Sequence, residues 1–123
     1  MKTLTEKEES LMKMFWNRGP LFVKEIVEAH PEPRPHVNTI STFVRILEEK
    51  GFLRHEKLGN TYRYIPTMSE REYGKTNLKE ILSRYFNNSL PSLVSALVSD
   101  EKISERELTD IITRVKQSRD TGE

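Results

Sequence analysis

The segment 36–50, HVNTISTFVRILEEK, is bounded on both sides by residues that leave it one way to fold. Pro31, Pro33 and Pro35 alternate before it, and proline disfavours helix both at its own position and at the one preceding it. Gly51 follows, the residue type that most readily closes a helix in the left-handed conformation. Wound at about 100° per residue, the segment places Val37, Ile40, Phe43, Val44 and Leu47 on one arc roughly 120° wide, as a core-facing helix requires. The opposite arc carries Asn38, Ser41, Thr42 and Arg45, with one cation and no acid before Glu48. Such a helix, apolar beneath and hydrogen-bonding above, suits the DNA major groove. The same pattern also describes a surface helix with a solvated face.

The flanking chain narrows that choice. Thr5 with Glu8 makes a capping box for a first helix reaching about Asn17, with Leu4, Leu11 and Phe15 on one face and Met12, Met14 and Trp16 beside them. Gly19-Pro20 stops it. Leu21-Phe22 is a scrap of strand, and 23–30 is a short helix with Ile26, Val27 and Ala29 apolar. After Gly51, 52–55 reads as a strand, 56–60 as a turn pivoting on Gly59-Asn60, and 61–65 as a returning strand ended by Pro66. Tyr62 and Tyr64 share one face of it and Arg63 takes the other. Helix, short strand, helix, helix and hairpin is the order of a winged helix-turn-helix, complete by residue 66, with the hairpin as its wing.

Net charge is +1 overall, which says little. Its placement says more. No acid occurs from Pro33 to Leu47 or from Lys57 to Ser69, two windows that carry Arg34, Arg45, Lys57 and Arg63. A fold that joins them concentrates positive potential on one surface.

From Met68 the character changes. Ser69 with Glu72 caps a helix in which Tyr73, Leu78, Ile81, Leu82, Tyr85 and Phe86 recur at helical spacing up to Asn87-Asn88. Ser89 caps a second, with Pro91 in its first turn and Leu90, Leu93, Val94, Leu97 and Val98 apolar, and Ser99-Asp100 break it. Ser104 with Glu107 opens a third, carrying Leu108, Ile111, Ile112 and Val115. The tail from Gln117 is polar and expected to fray. Three such helices have little core of their own and expose too much apolar area to stand alone. A second copy of the chain is the simplest cover, with Ile81, Tyr85, Leu93, Leu97, Leu108, Ile111 and Ile112 at the interface. Folding back on the N-terminal half is the alternative. The expected architecture is mainly α: a winged-helix DNA-binding domain over 1–67 and a three-helix dimerisation domain over 68–123.

With Glu8, Met12 and Trp16 in the first helix, Thr39, Ile40, Thr42, Arg45, Ile46 and Leu47 in the third, Glu49-Lys50-Gly51 after it, and Gly59, Tyr62, Tyr64 and Pro66 in the hairpin, the chain resembles the penicillinase repressor (BlaI/MecI) family over nearly its whole length. The resemblance implies a dimeric repressor on an inverted-repeat operator in double-stranded DNA, held together by its C-terminal helices. It also implies release by cleavage in those helices, triggered through a membrane-bound sensor protease system. The family's cleavage pair is Asn-Phe; the equivalent here is Ala96-Leu97, which keeps the apolar second residue and lacks the Asn. The chain has no cysteine, which excludes disulfides, thiol nucleophiles and the cysteine pairs of the family's copper-responsive branch.

Candidate base or groove contacts are Asn38, Ser41 and Thr42, since Asn pairs bidentately with adenine and the Thr methyl packs on that of thymine. Candidate phosphate contacts are Thr39, Arg45, Lys57 and Arg63, which supply affinity rather than sequence choice. Trp16, Tyr62 and Tyr64 read as packing residues. His30, His36 and His55 lack metal-site spacing, and no catalytic triad or phosphate-binding glycine motif occurs, so neither metal, cofactor nor enzymatic activity is expected. With no apolar leader and no run of about 20 apolar residues, a cytoplasmic protein without a lipid partner is expected. Two other functions fit the same residues: a winged-helix module that binds protein rather than DNA, and a DNA-binding regulator released by a small ligand.

Overall fold

Helix caps set most of the element boundaries in the computed structural model, which describes residues 3–100 and 102–120. Helix α1 (Glu6–Arg18) opens on a reciprocal capping box: Thr5 Oγ1 accepts from the Glu8 N–H at 3.2 Å, and Glu8 Oε1 accepts from the Thr5 N–H at 2.8 Å. Strand β1 (Leu21–Phe22) leads straight into α2 (Val23–Ala29), whose Glu25 carboxylate accepts from the Phe22 N–H. After the proline turn comes α3 (Val37–Glu49). It ends in a Schellman closure, with Phe52 N–H donating to Leu47 O and Gly51 N–H to Glu48 O. Gly51 has a φ of 90°, a conformation that only glycine adopts cheaply.

Strands β2 (Leu53–Leu58) and β3 (Thr61–Pro66) follow, and the three strands form one antiparallel sheet in the order β1-β3-β2. The hairpin is tighter than the sequence suggests. Its strands pair as far as Leu58 with Thr61, so the expected five-residue turn shrinks to Gly59-Asn60. Positive φ at Gly59 (64°) and not at Asn60 is the sign pattern of a II′ turn. Glu56 and Lys57 look like turn residues, yet each has a partner across the ladder, Arg63 and Tyr62. Polar side chains are no obstacle to a strand in a hairpin that water reaches.

The core gathers one stripe from every N-terminal element: Leu11, Met12 and Phe15, then Leu21, Ile26, Ile40, Val44, Leu47, Phe52, Leu53 and Tyr64. Val37, expected to join them, is 49% exposed, because it starts the helix at the edge of the apolar arc. Trp16 packs as expected and donates from Nε1 to Met68 O at 3.0 Å. Tyr73 also belongs to this core: its ring meets Trp16 and Phe52, and its hydroxyl accepts from the Leu4 N–H. Tyr73 lies in α4 (Glu70–Tyr85), and the chain divides into two compact units after Gly74, within that helix. The N-terminal core is therefore not complete at residue 66.

The second unit holds the rest of α4, α5 (Leu90–Ser99) and α6 (Glu105–Asp120). Asn87 and Asn88 both take positive φ to close α4, with Asn88 N–H donating to Leu82 O. Ser89 and Ser104 cap α5 and α6. Helix α6 runs on to Asp120, past the point where fraying was expected; its i,i+4 pair Asp110–Arg114 and the Thr109 and Thr113 hydroxyl bonds lie along it. The remainder of that tail, residues 121–123, lies outside the described residues. No residue of α5 is buried.

Candidate nucleic-acid interface

Helix α3 starts on an unusual cap. His36 Nδ1 accepts from the Asn38 N–H at 3.0 Å, doing what Ser or Asp usually does. Ile40, Val44 and Leu47 anchor the helix below, with Phe43 half-buried beside them. Above, Asn38, Thr39, Thr42 and Arg45 are exposed and Ser41 is half-buried. The Thr42 hydroxyl donates back to Asn38 O at 2.9 Å, which leaves its methyl and the oxygen's lone pairs for a partner. Arg45 Nε donates to Ser41 O at 3.2 Å, steadying the stem while the terminal guanidinium nitrogens remain available.

The hairpin's pleat decides which of its cations accompany this face. Side chains alternate along a strand, and directly paired residues share a face. Leu53, His55 and Lys57 therefore lie on one face with Tyr64 and Tyr62, and that face is the one packed toward α3, since Leu53 and Tyr64 are core residues. Lys57 is exposed beyond them. Arg63 takes the other face, where it is ion-paired with Glu56. The acid-free window from Lys57 to Ser69 thus misleads at Arg63, because strand pairing returns Glu56 from just outside the window. Asn38, Ser41, Thr42 and Arg45 share one helix face, with Thr39 beside them; Lys57 is on the α3 side of the hairpin, and Arg63 is not.

One contact joins helix and hairpin that no local pattern signals. His55 Nδ1 lies 2.6 Å from Glu48 Oε2, and the imidazole lies tilted against Tyr62 and Tyr64, with ring centroids 4.7 and 5.9 Å away. Burial, and next the Glu48 carboxylate, push the Tyr64 phenol above its ordinary pKa. Glu48, the first acid of the helix, is thereby engaged with the hairpin. Only the strand register, unknown from sequence, puts His55 within its reach.

A helix presenting short polar groups and an arginine, beside a hairpin presenting a lysine, has the form of a recognition helix and wing. The sequence pattern of the penicillinase repressors matches residues 4–117. The chain belongs to the penicillinase repressor family. It is 26% identical over 109 residues to the penicillinase repressor of Bacillus licheniformis, covering 88% of this chain and 85% of the relative. It is also 24% identical over 110 residues to an uncharacterized 16.5 kDa protein of Latilactobacillus sakei encoded in the ptsI 3′ region, covering 89% and 73%. Membership makes it a DNA-binding transcriptional repressor. Among the described residues no helix is long and apolar enough to cross a membrane, and no cluster of side chains could hold a metal ion.

Proposed function

We propose that this penicillinase repressor homologue acts as a homodimer on an inverted-repeat operator. The α3 of each copy enters the major groove with Asn38, Ser41 and Thr42 toward base edges. Thr39, Arg45 and Lys57 meet the phosphates on either side. The observation that carries the reading is the shared outward face of Asn38, Thr42 and Arg45 above a buried Ile40, Val44 and Leu47. The dimer follows from the second unit: Ile81, Tyr85, Ile111 and Ile112 are exposed, and Leu93, Leu97 and Leu108 are only half covered. So much apolar surface calls for a second copy.

Derepression by cleavage is the finer part of the proposal. The Ala96-Leu97 bond lies inside α5, between an exposed and a half-buried residue. A protease needs the strand extended, so α5 must open locally before it is cut. A membrane-bound sensor protease system is the partner that would start this. Selecting bound fragments from random duplex DNA tests the DNA reading: recovery of a sequence with two related half-sites about 34 Å apart, or a multiple, is the expected result. Retention of no duplex at low salt would refute it.

A further inference from the structure

We propose that Val37 is a base-reading residue, meeting the C5-methyl of a thymine in the major groove. The inference rests on the reading of α3 as a recognition helix and adds to it an apolar contact. Sequence periodicity assigns Val37 to the core, but it is 49% exposed and is not among the half-buried side chains packed there. It is the first residue of α3, directly after the His36 cap. On the helix it stands about 40° from Ser41 and 100° from Asn38, so it borders the outward polar face on the side nearest Ser41.

The first turn is where recognition helices touch base edges. Along those edges the thymine methyl is the one apolar group, and nothing else can match an apolar side chain there. Valine in a helix also holds essentially one χ1 rotamer, so little freedom is lost when it docks. The cap fixes the backbone beneath it, through the hydrogen bond from the very next residue's N–H to His36 Nδ1. An exposed valine alone is unremarkable on a soluble protein. Here it stands at the border of the polar face, at the end of the helix that leads into the groove.

The test uses the full-length chain and a duplex selected from random DNA. Deoxyuridine replaces each thymine in turn, which removes the methyl and keeps O4 and the base pair. The wild type is expected to lose roughly fourfold in affinity per half-site at one thymine, the scale of burying one methyl group. Val37→Ala should bind the all-thymine duplex more weakly by a similar factor and be indifferent to uracil at that position. Val37→Ile should keep the thymine preference, and it serves as the readout should the alanine variant melt early. Equal uracil sensitivity in wild type and Val37→Ala, or none in the wild type, overturns the assignment and leaves the operator-binding reading standing. A wild-type chain that selects no duplex overturns both.

Discussion

Two kinds of side chain make up the candidate interface of α3 and the hairpin, and they should fail differently when removed. Arg45→Ala or Lys57→Ala would remove a proposed phosphate contact. Binding is expected to weaken about equally on all sequences, and the slope of log affinity against log salt to fall by roughly one. Asn38→Ala or Thr42→Ala should instead relax preference at a single base pair, costing about 1–3 kcal/mol on the best site. Arg63→Ala, on the far face and already paired with Glu56, should leave the salt slope unchanged. Titrations at several salt concentrations check all three. A second residue-scale prediction concerns stability. Glu8 is only 4% exposed, and Lys50 Nζ sits 2.6 Å from its Oε1. Burial pushes the carboxyl up, but the hydrogen bonds from Lys50 and the Thr5 backbone, with the lysine's charge, outweigh it and hold the pKa below its ordinary 4.5. A depressed folded pKa stabilises the protein above the unfolded value and ceases to do so as pH falls through the folded one. Lys50→Met should therefore cost about 1–3 kcal/mol at neutral pH. Melting curves of the two proteins should converge as the pH is taken below 4.5.

The placement of α3 depends on how its first turn is held. His36→Ala strips the acceptor from the Asn38 N–H and should destabilise the N-terminal unit by about 0.5–2 kcal/mol, the usual worth of an N-cap. His36→Asp restores a cap acceptor and should recover most of that loss; chemical denaturation of the three proteins decides. This cap marks the limit of what the sequence discloses at the level of elements. Capping boxes at Thr5, Ser69 and Ser104 are legible because Ser or Thr followed three residues later by Glu is a local signal. The order of helices and strands follows equally from proline, glycine and apolar spacing. Features set by tertiary partners are not legible. The extension of β2 through Glu56 and Lys57 depends on cross-strand pairing. Tyr73 looks like one more apolar residue of a C-terminal helix until its hydroxyl is found on the Leu4 N–H. In the candidate site, the outward quartet of α3 was readable from its period, whereas the Glu48–His55 contact and the diversion of Arg63 required the strand register.

At the scale of the whole molecule, the proposed homodimer would bring two reading heads together, with the second unit as the place where they would be joined. The choice of residue decides whether a test of that joining can be interpreted. Leu93 and Leu97 are half-buried within a single chain, so a charge there could unfold the unit as readily as split a dimer. Tyr85 is 70% exposed and Ile112 49%. Aspartate at either position stays in water in the lone chain and costs it little; in a dimer that covers those side chains it places an unpaired charge against apolar surface. Tyr85→Asp and Ile112→Asp are thus expected to sediment as folded monomers with unchanged helix content, while the wild type sediments as a dimer whose melting temperature rises with concentration. The monomers should still bind a single half-site, since α3 and the hairpin belong to the other unit. On the full operator they should lose the added affinity that comes from linking two sites, which can reach roughly 100-fold or more. An intact dimer from both variants would show that the subunits meet through a different surface of these helices.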